Sequence, residues 1–146
     1  MKKLMATDCE LCKPPGEDLL WQDEYCRVVA VADTRFPGFC RVILQSHVSE
    51  MTDLDPSVRQ RVMQTVYAVE SALRTLMQPD KINLASLGNV VPHLHWHVIP
   101  RFRGDSHFPD PVWAPARREG AVAPSPSAIE LAARLRRELG PGGPQA

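Results

Sequence analysis

The chain has 146 residues and carries 17 Lys and Arg against 17 Asp and Glu, so its formal net charge at pH 7 is zero. That length fits one domain, and the balanced charge argues against a general affinity for nucleic acid or for an acidic membrane. Any anionic ligand must therefore be bound by local groups. Apolar runs fall short of the ~18 residues of a membrane span, and Asp8, Cys9 and Glu10 interrupt any signal-peptide core, so we expect a cytoplasmic protein.

A C-x-x-C pair, Cys9 and Cys12, lies beside a Pro-Pro-Gly turn ahead of the first predicted strand. Such a pair can bind zinc, act as a redox couple or remain as inert thiols. No βαβ pattern follows the pair, which disfavours a redox role, and a zinc site needs two further ligands from elsewhere in the chain. The spacing alone leaves zinc and inert thiols as the main alternatives.

Three β-strands are predicted in the next part of the chain. Apolar, β-branched stretches at residues 19–22 and 26–32 have the pattern of a β-hairpin, and Asp33 closes the second strand. After a Pro-Gly turn, residues 39–44 form the third strand, and His47 lies just past its end.

A long amphipathic helix follows these strands. Asp55 and Pro56 form a helix start, with Asp as the cap and Pro at the first helical position. Apolar residues then recur at helical spacing over about 20 residues, up to Pro79. They are Val58, Val62, Val66, Val69, Leu73 and Leu76. Residues 81–87 have the pattern of a fourth strand, and short connections favour antiparallel pairing, so the sequence predicts an α+β fold.

The stretch that indicates a function is 93–100, which reads HLHWHVIP. His93, His95 and His97 alternate with apolar residues, which predicts a fifth strand with all three imidazoles on one face. Side chains two apart on a strand are separated by about 6 to 7 Å, whereas zinc lies about 2 Å from each ligating nitrogen. We therefore expect the three rings to have different functions rather than to bind one metal ion together.

The first 105 residues are expected to form the main domain. Residues 106–126 are Pro-rich, and we expect them to pack on this domain or on a partner subunit. Within that segment, His107 is expected to be an exposed loop residue. Trp113 could cap a ligand pocket or a partner subunit, but we expect it to be a buried anchor.

A second helix is predicted near the C-terminus. Ser127 and Glu130 form a capping box, and the helix is expected over residues 127–139. The Gly- and Pro-rich residues 140–146 are expected to be a disordered tail. Earlier in the chain, Cys26 and Cys40 fall within predicted strands and are expected to be small core residues.

At residues 93–99 the sequence resembles the histidine triad (HIT) family, whose signature is His-φ-His-φ-His-φ-φ with φ apolar. Gly88, Asn89 and Val91 also stand where the family has Gly-Gln-x-Val, and the order of predicted elements fits over about two thirds of the chain. The resemblance implies a nucleotide-binding, HIT-like fold that is usually a homodimer. With the predicted elements, this gives a five-stranded antiparallel sheet with one long helix and a C-terminal helix.

The resemblance also implies a chemistry. Family members hydrolyse or transfer nucleoside monophosphate groups, from dinucleoside polyphosphates or nucleoside phosphoramidates, through a nucleotidyl-histidine intermediate. On the matching positions, His95 would be the nucleophile at the α-phosphorus, with its ring proton held by the backbone carbonyl of His93. His97 would hold the phosphate oxygens, Asp33 would bind the ribose hydroxyls, and Asn89 would help offset the phosphate charge. A neutral imidazole is a competent nucleophile near pH 7, so the residue chemistry agrees.

Some family members hold a structural zinc with an N-terminal C-x-x-C pair, a histidine after the third strand and the first triad histidine. This chain has Cys9, Cys12, His47 and His93 in those places. Two thiolates and two imidazoles complete a tetrahedral zinc site with no open position, so the ion would be structural and no catalytic metal would be required.

The chain departs from the family pattern near the triad. Asn89 is one methylene shorter than the usual Gln, and Val90 lacks the hydroxyl of some members, which weakens a phosphoramidate-cleaving function because no hydroxyl would protonate a leaving amine. The preceding loop is one residue shorter, and Asn83 and Ser86 are expected as phosphate contacts.

Two other functions remain as alternatives. The altered pair of residues at 89 and 90 would suit a nucleotide-binding sensor or carrier that binds without turnover. A metal-dependent hydrolase would instead use the triad as catalytic ligands and would lose its activity to a chelator.

Overall fold

The computed structural model describes residues 6–13 and 16–142, which form one five-stranded sheet and two α-helices. The strands are β1 (Asp18–Gln22), β2 (Cys26–Ala30), β3 (Cys40–Leu44), β4 (Lys81–Ala85) and β5 (His95–Arg101), and the helices are α1 (Pro56–Met77) and α2 (Ala128–Leu139). The strand order is β1-β2-β3-β5-β4, with every neighbouring pair antiparallel. The predicted α+β class and five-stranded antiparallel sheet are confirmed. Neither helix combines the length and apolarity that crossing a lipid bilayer requires.

One face of the sheet forms the core beneath both helices. Side chains of β2, β3 and β5 on this face pack against apolar residues of α1 and α2, and they include Cys26, Val28, Cys40, Val42 and Val98. Burial raises the pKa of the Cys26 and Cys40 thiols to about 12 each, so both stay protonated, as expected for core residues. The side chains that alternate with this set therefore lie on the opposite face.

Helix α1 spans 22 residues and begins with Pro56 at its first position, as predicted. Asp55 precedes it, but its side chain makes no capping hydrogen bond. The Asp55 carbonyl accepts hydrogen bonds from the backbone amides of Val58 and Arg59 instead. The predicted position of the helix start is thus right and the predicted side-chain cap is wrong.

Strand β5 begins at His95, so His93 lies in the segment before it, and the prediction that all three histidines lie on one strand face is wrong. The reason is that the backbone of Leu94 forms hydrogen bonds with the last residue of β3 and with the chain that follows it. Its amide donates to the Val48 carbonyl at 2.7 Å, and its own carbonyl accepts from the Leu44 amide at 3.1 Å. The Leu94 side chain packs in a second apolar cluster beside the start of α1.

A buried ion pair organises the chain after β5. Asp105 accepts hydrogen bonds from Arg101 Nε at 2.8 Å and Nη2 at 3.1 Å, and also from the amides of Phe102, His107 and Phe108. Burial alone would raise the pKa of Asp105, but the hydrogen bonds from Arg101, His107 and Phe108 outweigh it and lower the pKa to about 2. One carboxylate therefore fixes the turn that brings the Pro-rich segment back over the sheet.

His107 is 2% exposed, so the prediction that it is an exposed loop residue is wrong. Its ring packs edge-on against Phe36, with centroids 5.2 Å apart. Its Nδ1 lies 2.7 Å from Ser106 Oγ in a buried hydrogen bond. The Asp105 turn places this ring inside, which the loop composition did not indicate.

Helix α2 begins with the predicted capping box. Ser127 Oγ accepts from the Glu130 amide at 3.1 Å, and the Glu130 carboxylate accepts from the Ser127 amide at 3.1 Å. At the other end, the Gly140 carbonyl accepts from Trp21 Nε1 at 3.0 Å, so the start of the expected tail packs on β1. The expected turn at 14–15 and residues 1–5 and 143–146 lie outside the described residues.

We expect Asp105→Asn to destabilise the fold by about 3 kcal/mol at pH 7, because it leaves the Arg101 guanidinium buried without its counter-charge. Asp110→Asn is the matched control, since Asp110 and Arg117 form a solvent-exposed ion pair whose loss should change the stability little. Urea unfolding of both variants measures the difference.

The Asp105 contribution also has a pH dependence. The pKa of Asp105 is about 2 in the fold and about 3.9 in an unfolded chain, so the stabilisation is complete above the unfolded value and is lost as the pH falls toward 2. An Asp105→Asn protein as stable as Asp110→Asn would contradict this account.

Candidate active site and metal centre

His95 is the first residue of β5, and its ring lines a cavity of about 360 Å³ on the face of the sheet opposite the main core. Its Nδ1 donates a hydrogen bond to the His93 carbonyl at 2.5 Å. A carbonyl oxygen can only accept, so the neutral ring carries its proton on Nδ1. The lone pair of Nε2 is then available for attack on an electrophile in the cavity.

His97 follows on the same strand face, with its ring centroid 5.0 Å from that of His95. Burial, followed by the nearby His95 and Arg41, lowers the pKa of His97 to about 4, so the ring is neutral at pH 7. Its Nδ1 is buried and has no hydrogen-bond partner among the described residues. His97 can therefore offer a hydrogen bond in the cavity but brings no positive charge at neutral pH.

The polar side chains of β4 and of the loop that joins it to β5 lie in different positions. Asn89 lines the cavity with His95 and His97, as expected. The Ser86 hydroxyl donates to the His95 carbonyl at 2.8 Å, so it holds the backbone of β5. Asn83 accepts a hydrogen bond from Arg101 Nη1 at 2.8 Å and lines a groove along β4 instead. Of these three predicted contacts, the structure brings only Asn89 to the histidine cavity.

Asp33 lies outside the histidine cavity and lines a neighbouring one of about 560 Å³. Its carboxylate accepts hydrogen bonds from Arg35 Nε at 3.1 Å and Nη2 at 3.0 Å, and the hydrogen bonds from Arg35 hold its pKa below the usual value. Phe39 also lines the Asp33 cavity, and its ring centroid lies 5.8 Å from that of His97. The Phe39 ring thus lies between the Asp33 cavity and His97.

The second cluster of titratable groups is formed by Cys9, Cys12, His47 and His93, whose ligand atoms all lie within 4.8 Å of one another. The Nδ1 atoms of the two histidines are 3.3 Å apart, and Cys12 Sγ lies 3.4 Å from each of them. Cys9 Sγ lies 3.5 Å from His93 Nδ1. All four residues predicted as metal ligands are therefore brought together.

These separations fit a tetrahedral zinc ion. With Zn–N near 2.0 to 2.1 Å and Zn–S near 2.3 Å, a tetrahedron places two nitrogens about 3.4 Å apart and a nitrogen and a sulfur about 3.6 Å apart. The separations in the cluster, 3.3 Å and 3.4 to 3.5 Å, agree with these values. The donor set and its geometry both suit a closed structural site.

His93 presents the correct ring nitrogen to this cluster. Its Nε2 donates to the Leu44 carbonyl at 2.6 Å, so in the neutral ring Nδ1 keeps a free lone pair that points at the cysteines and His47. Burial lowers the pKa of His93, which favours this neutral form. The same residue accepts the His95 proton through its carbonyl, so the two sites share it.

A family model described as HIT domain matches residues 16–104. The chain belongs to the HIT family. Curated HIT relatives include a bis(5'-nucleosyl)-tetraphosphatase (asymmetrical) from Schizosaccharomyces pombe, 26% identical over 116 residues, with 75% of this chain and 64% of that protein covered. An adenylylsulfatase from Arabidopsis thaliana is 26% identical over 145 residues, covering 92% of this chain and 71% of that protein. The chain therefore spans slightly less than two thirds of the length of the fission-yeast relative.

Solved structures of HIT proteins share the fold. A histidine triad protein from Bradyrhizobium japonicum has a TM-score of 0.63 at 29% identity, with 84% of this chain and 91% of that chain covered. A Zn-bound histidine triad family protein from Mycobacterium smegmatis has a TM-score of 0.64 at 23% identity, covering 89% and 94%. The HIT-like fold expected from the sequence is thus confirmed.

Two cavity residues lie outside the HIT signature and were missed or misplaced by the sequence analysis. Arg41 of β3 lines the cavity, and its Cα pairs with that of His97 across the strands. Trp113 is 50% exposed and lies edge-on to His97 at 4.9 Å. The prediction of a buried anchor is therefore wrong, and its position in the cavity wall agrees with the alternative of a residue at the pocket. A charged residue within an apolar strand was the available signal for Arg41, whereas the position of Trp113 depends on the folding of the Pro-rich segment.

We expect the His97 ring to titrate near pH 4, well below the usual value of about 6.5, because its burial disfavours the imidazolium. Since the unfolded ring takes up its proton near 6.5, the contribution of neutral His97 to folding stability is complete above that pH and falls as the pH drops toward 4. NMR of ¹⁵N-labelled histidine measures the titration, and a His97→Asn spectrum assigns the signal. A His97 midpoint near 6.5 would contradict the burial argument.

Proposed function

We propose that this chain hydrolyses or transfers a nucleoside monophosphate group through a covalent intermediate on His95. The observation that carries the proposal is the hydrogen bond from His95 Nδ1 to the His93 carbonyl, which leaves Nε2 unprotonated in the cavity. An imidazole held in this tautomer is ready for nucleophilic attack without first losing a proton.

In the first step, the lone pair of His95 Nε2 forms a bond to the α-phosphorus, and the bond from phosphorus to the leaving group breaks. The leaving group departs with that electron pair. Positive charge then develops on the His95 ring, and the His93 carbonyl that accepts its Nδ1 proton stabilises that charge. In the second step, water attacks the phosphorus and releases a proton to solvent, the P–N bond breaks, and His95 regains its lone pair.

The other cavity residues would bind the nucleotide. Neutral His97 and exposed Asn89 line the cavity and would donate hydrogen bonds to the phosphoryl oxygens. Asp33 would accept hydrogen bonds from the ribose hydroxyls, which requires the nucleoside to extend past Phe39 into the neighbouring cavity. Ser86 acts on the backbone of His95 and would position the nucleophile rather than touch the phosphate.

The proposed substrates are nucleotides whose leaving group is joined through an acidic oxygen. The names of the two curated relatives, a nucleosyl tetraphosphatase and an adenylylsulfatase, both describe cleavage of such a bond. Val90 is 92% exposed and offers no hydroxyl for protonating a leaving amine, which is consistent with this choice.

We expect His95→Ala to lower the rate of nucleoside monophosphate release by about ten-thousand-fold, because the described cavity holds no second nucleophile in this geometry. Mass spectrometry of wild-type enzyme quenched in alkali during turnover should find a nucleotidyl adduct on His95, and His95→Ala should lack it. Wild-type turnover by His95→Ala would contradict the mechanism. Nucleotide binding by the wild type without any product would favour the sensor or carrier function instead.

We further propose that Cys9, Cys12, His47 and His93 hold one structural zinc ion. The tetrahedral separations support it, as does the zinc in the Mycobacterium smegmatis neighbour. A closed site of this kind contributes folding energy and leaves no position for substrate. Zinc would tie the N-terminal loop to the start of β5 and so support the His93 backbone.

We expect purified protein to contain about one zinc per chain and Cys12→Ala to contain almost none and to unfold at a lower temperature. Cys40→Ala is the control, because Cys40 is buried in the core away from the cluster and should leave the zinc content unchanged. Elemental analysis and thermal unfolding measure both effects. Full zinc content in Cys12→Ala would exclude this ligand set.

The homodimer, the cytoplasmic location and the division into a main domain, a Pro-rich segment and a C-terminal helix stay predictions.

A further inference from the structure

Arg41 is a half-buried arginine that has no hydrogen-bond or ion-pair partner within residues 6–13 and 16–142. Its Nε is buried and makes no hydrogen bond among the described residues, and no ion pair involves its side chain there. Arg27, on the same face of the sheet, is instead bound by Glu17 at 2.8 Å, and Arg35 is bound by Asp33 at 3.0 Å. Leaving a buried charged donor unsatisfied costs free energy, which an anionic ligand would recover.

The cavity places Arg41 beside the atoms that would bind phosphate. Its Cα pairs with His97 across β3 and β5, whereas His95 pairs with Ile43 two residues further along. The carbonyl of Phe39, just before β3, accepts a hydrogen bond from the Val31 amide, so the start of β3 lies near Asp33. Arg41 is closer to this end of β3 than the residue that pairs with His95. Arg41 therefore lies on the Asp33 side of the nucleophile. A nucleotide bound with its ribose near Asp33 and its α-phosphorus at His95 would have the oxygens of its α-phosphoryl group next to Arg41 and His97.

The side chains around the proposed phosphoryl position leave Arg41 as the source of positive charge there. His95 must be neutral to act as the nucleophile, and burial keeps His97 neutral as well. Among the described residues that line the cavity, Arg41 is the one with a permanent positive charge, and the acidic Glu10 at the rim makes no ion pair with it. A phosphoryl group entering a cavity of neutral histidines would otherwise find hydrogen bonds but no counter-charge.

We propose that Arg41 is a further catalytic residue, which binds a non-bridging oxygen of the α-phosphoryl group together with His97 and stabilises the charge on that group during transfer. The inference deepens the proposed function and rests on it. A guanidinium suits this role because it keeps its charge at any working pH and donates in a fork that fits two phosphoryl oxygens.

The first test compares adenosine 5'-monophosphate with adenosine by calorimetry, in wild type and Arg41→Gln, and needs no turnover. We expect Arg41→Gln to weaken binding of the monophosphate by about tenfold to a hundredfold and of adenosine by less than about threefold. Arg41→Lys should recover part of the loss, since it keeps the charge without the fork. Equal losses for both ligands would overturn the proposal, because Arg41 would then shape the nucleoside pocket.

The second test measures kcat/KM for diadenosine tetraphosphate, whose leaving group is a nucleoside triphosphate, and for adenosine 5'-phosphosulfate, whose leaving group is sulfate. Because the α-phosphoryl group is common to both, we expect Arg41→Gln to lower both values by a similar factor, about tenfold to a hundredfold. A loss confined to the tetraphosphate would place Arg41 on the leaving group and overturn the proposal. Arg137→Gln, which removes the same charge from the exposed face of α2, is the matched control and should change neither value.

The two tests also separate this inference from the function on which it rests. If the wild type binds the monophosphate but hydrolyses neither compound, the proposed hydrolase function fails, and the calorimetric comparison still decides whether Arg41 binds phosphate. If the wild type hydrolyses both compounds and Arg41→Gln does so at the wild-type rate, the role of Arg41 fails alone. Thermal unfolding of Arg41→Gln should occur at or above the wild-type temperature, because the substitution removes a charged donor that has no partner among the described residues, and Arg41→Met serves as a second variant of similar length.

Discussion

The two sites of this protein depend on the hydrogen bonds made by one residue, His93. Its carbonyl accepts the Nδ1 proton of His95, and its own Nε2 donates to the Leu44 carbonyl. The first bond selects the tautomer that leaves His95 Nε2 free in the cavity, and the second leaves His93 Nδ1 free toward the cysteines. The same short segment therefore contributes both to the cluster of two cysteines and two histidines and to the cavity.

The segment is fixed by the sheet on one side and by the N-terminal loop on the other. Leu94 pairs with the chain after β3 and ends the regular strand, which turns His93 out of register with His95 and His97. The three histidines therefore differ in environment although they alternate in sequence. The first faces a ligand cluster, and the other two face a cavity on the side of the sheet away from α1 and α2.

The electrostatics of the cavity follow from its burial. Neutral imidazoles suit a nucleophile and a hydrogen-bond donor, but they do not balance the negative charge of a phosphoryl group. In the proposed mechanism Arg41 supplies this charge from the neighbouring strand, and the half-exposed Trp113 packs against His97 from the Pro-rich segment. The buried Arg101–Asp105 ion pair fixes the turn that leads into that segment. An ion pair outside the cavity therefore helps to determine the shape of the cavity.

The sequence by itself determined the strands, α1, the α2 capping box, the two core cysteines, the HIT family and the four residues that meet in the metal cluster. The strands, helices and family follow from local periodicity, cap chemistry and a specific motif, which short stretches of chain specify without distant contacts. The set of four cysteines and histidines follows from the resemblance to the family. Only the tertiary structure decided that His93 leaves the strand, that His107 is buried, that Trp113 reaches His97 and that Ser86 bonds to the backbone. Each of these depends on which distant segment supplies a hydrogen-bond partner or a packing surface, and the spacing of residues along a chain carries no information about that choice.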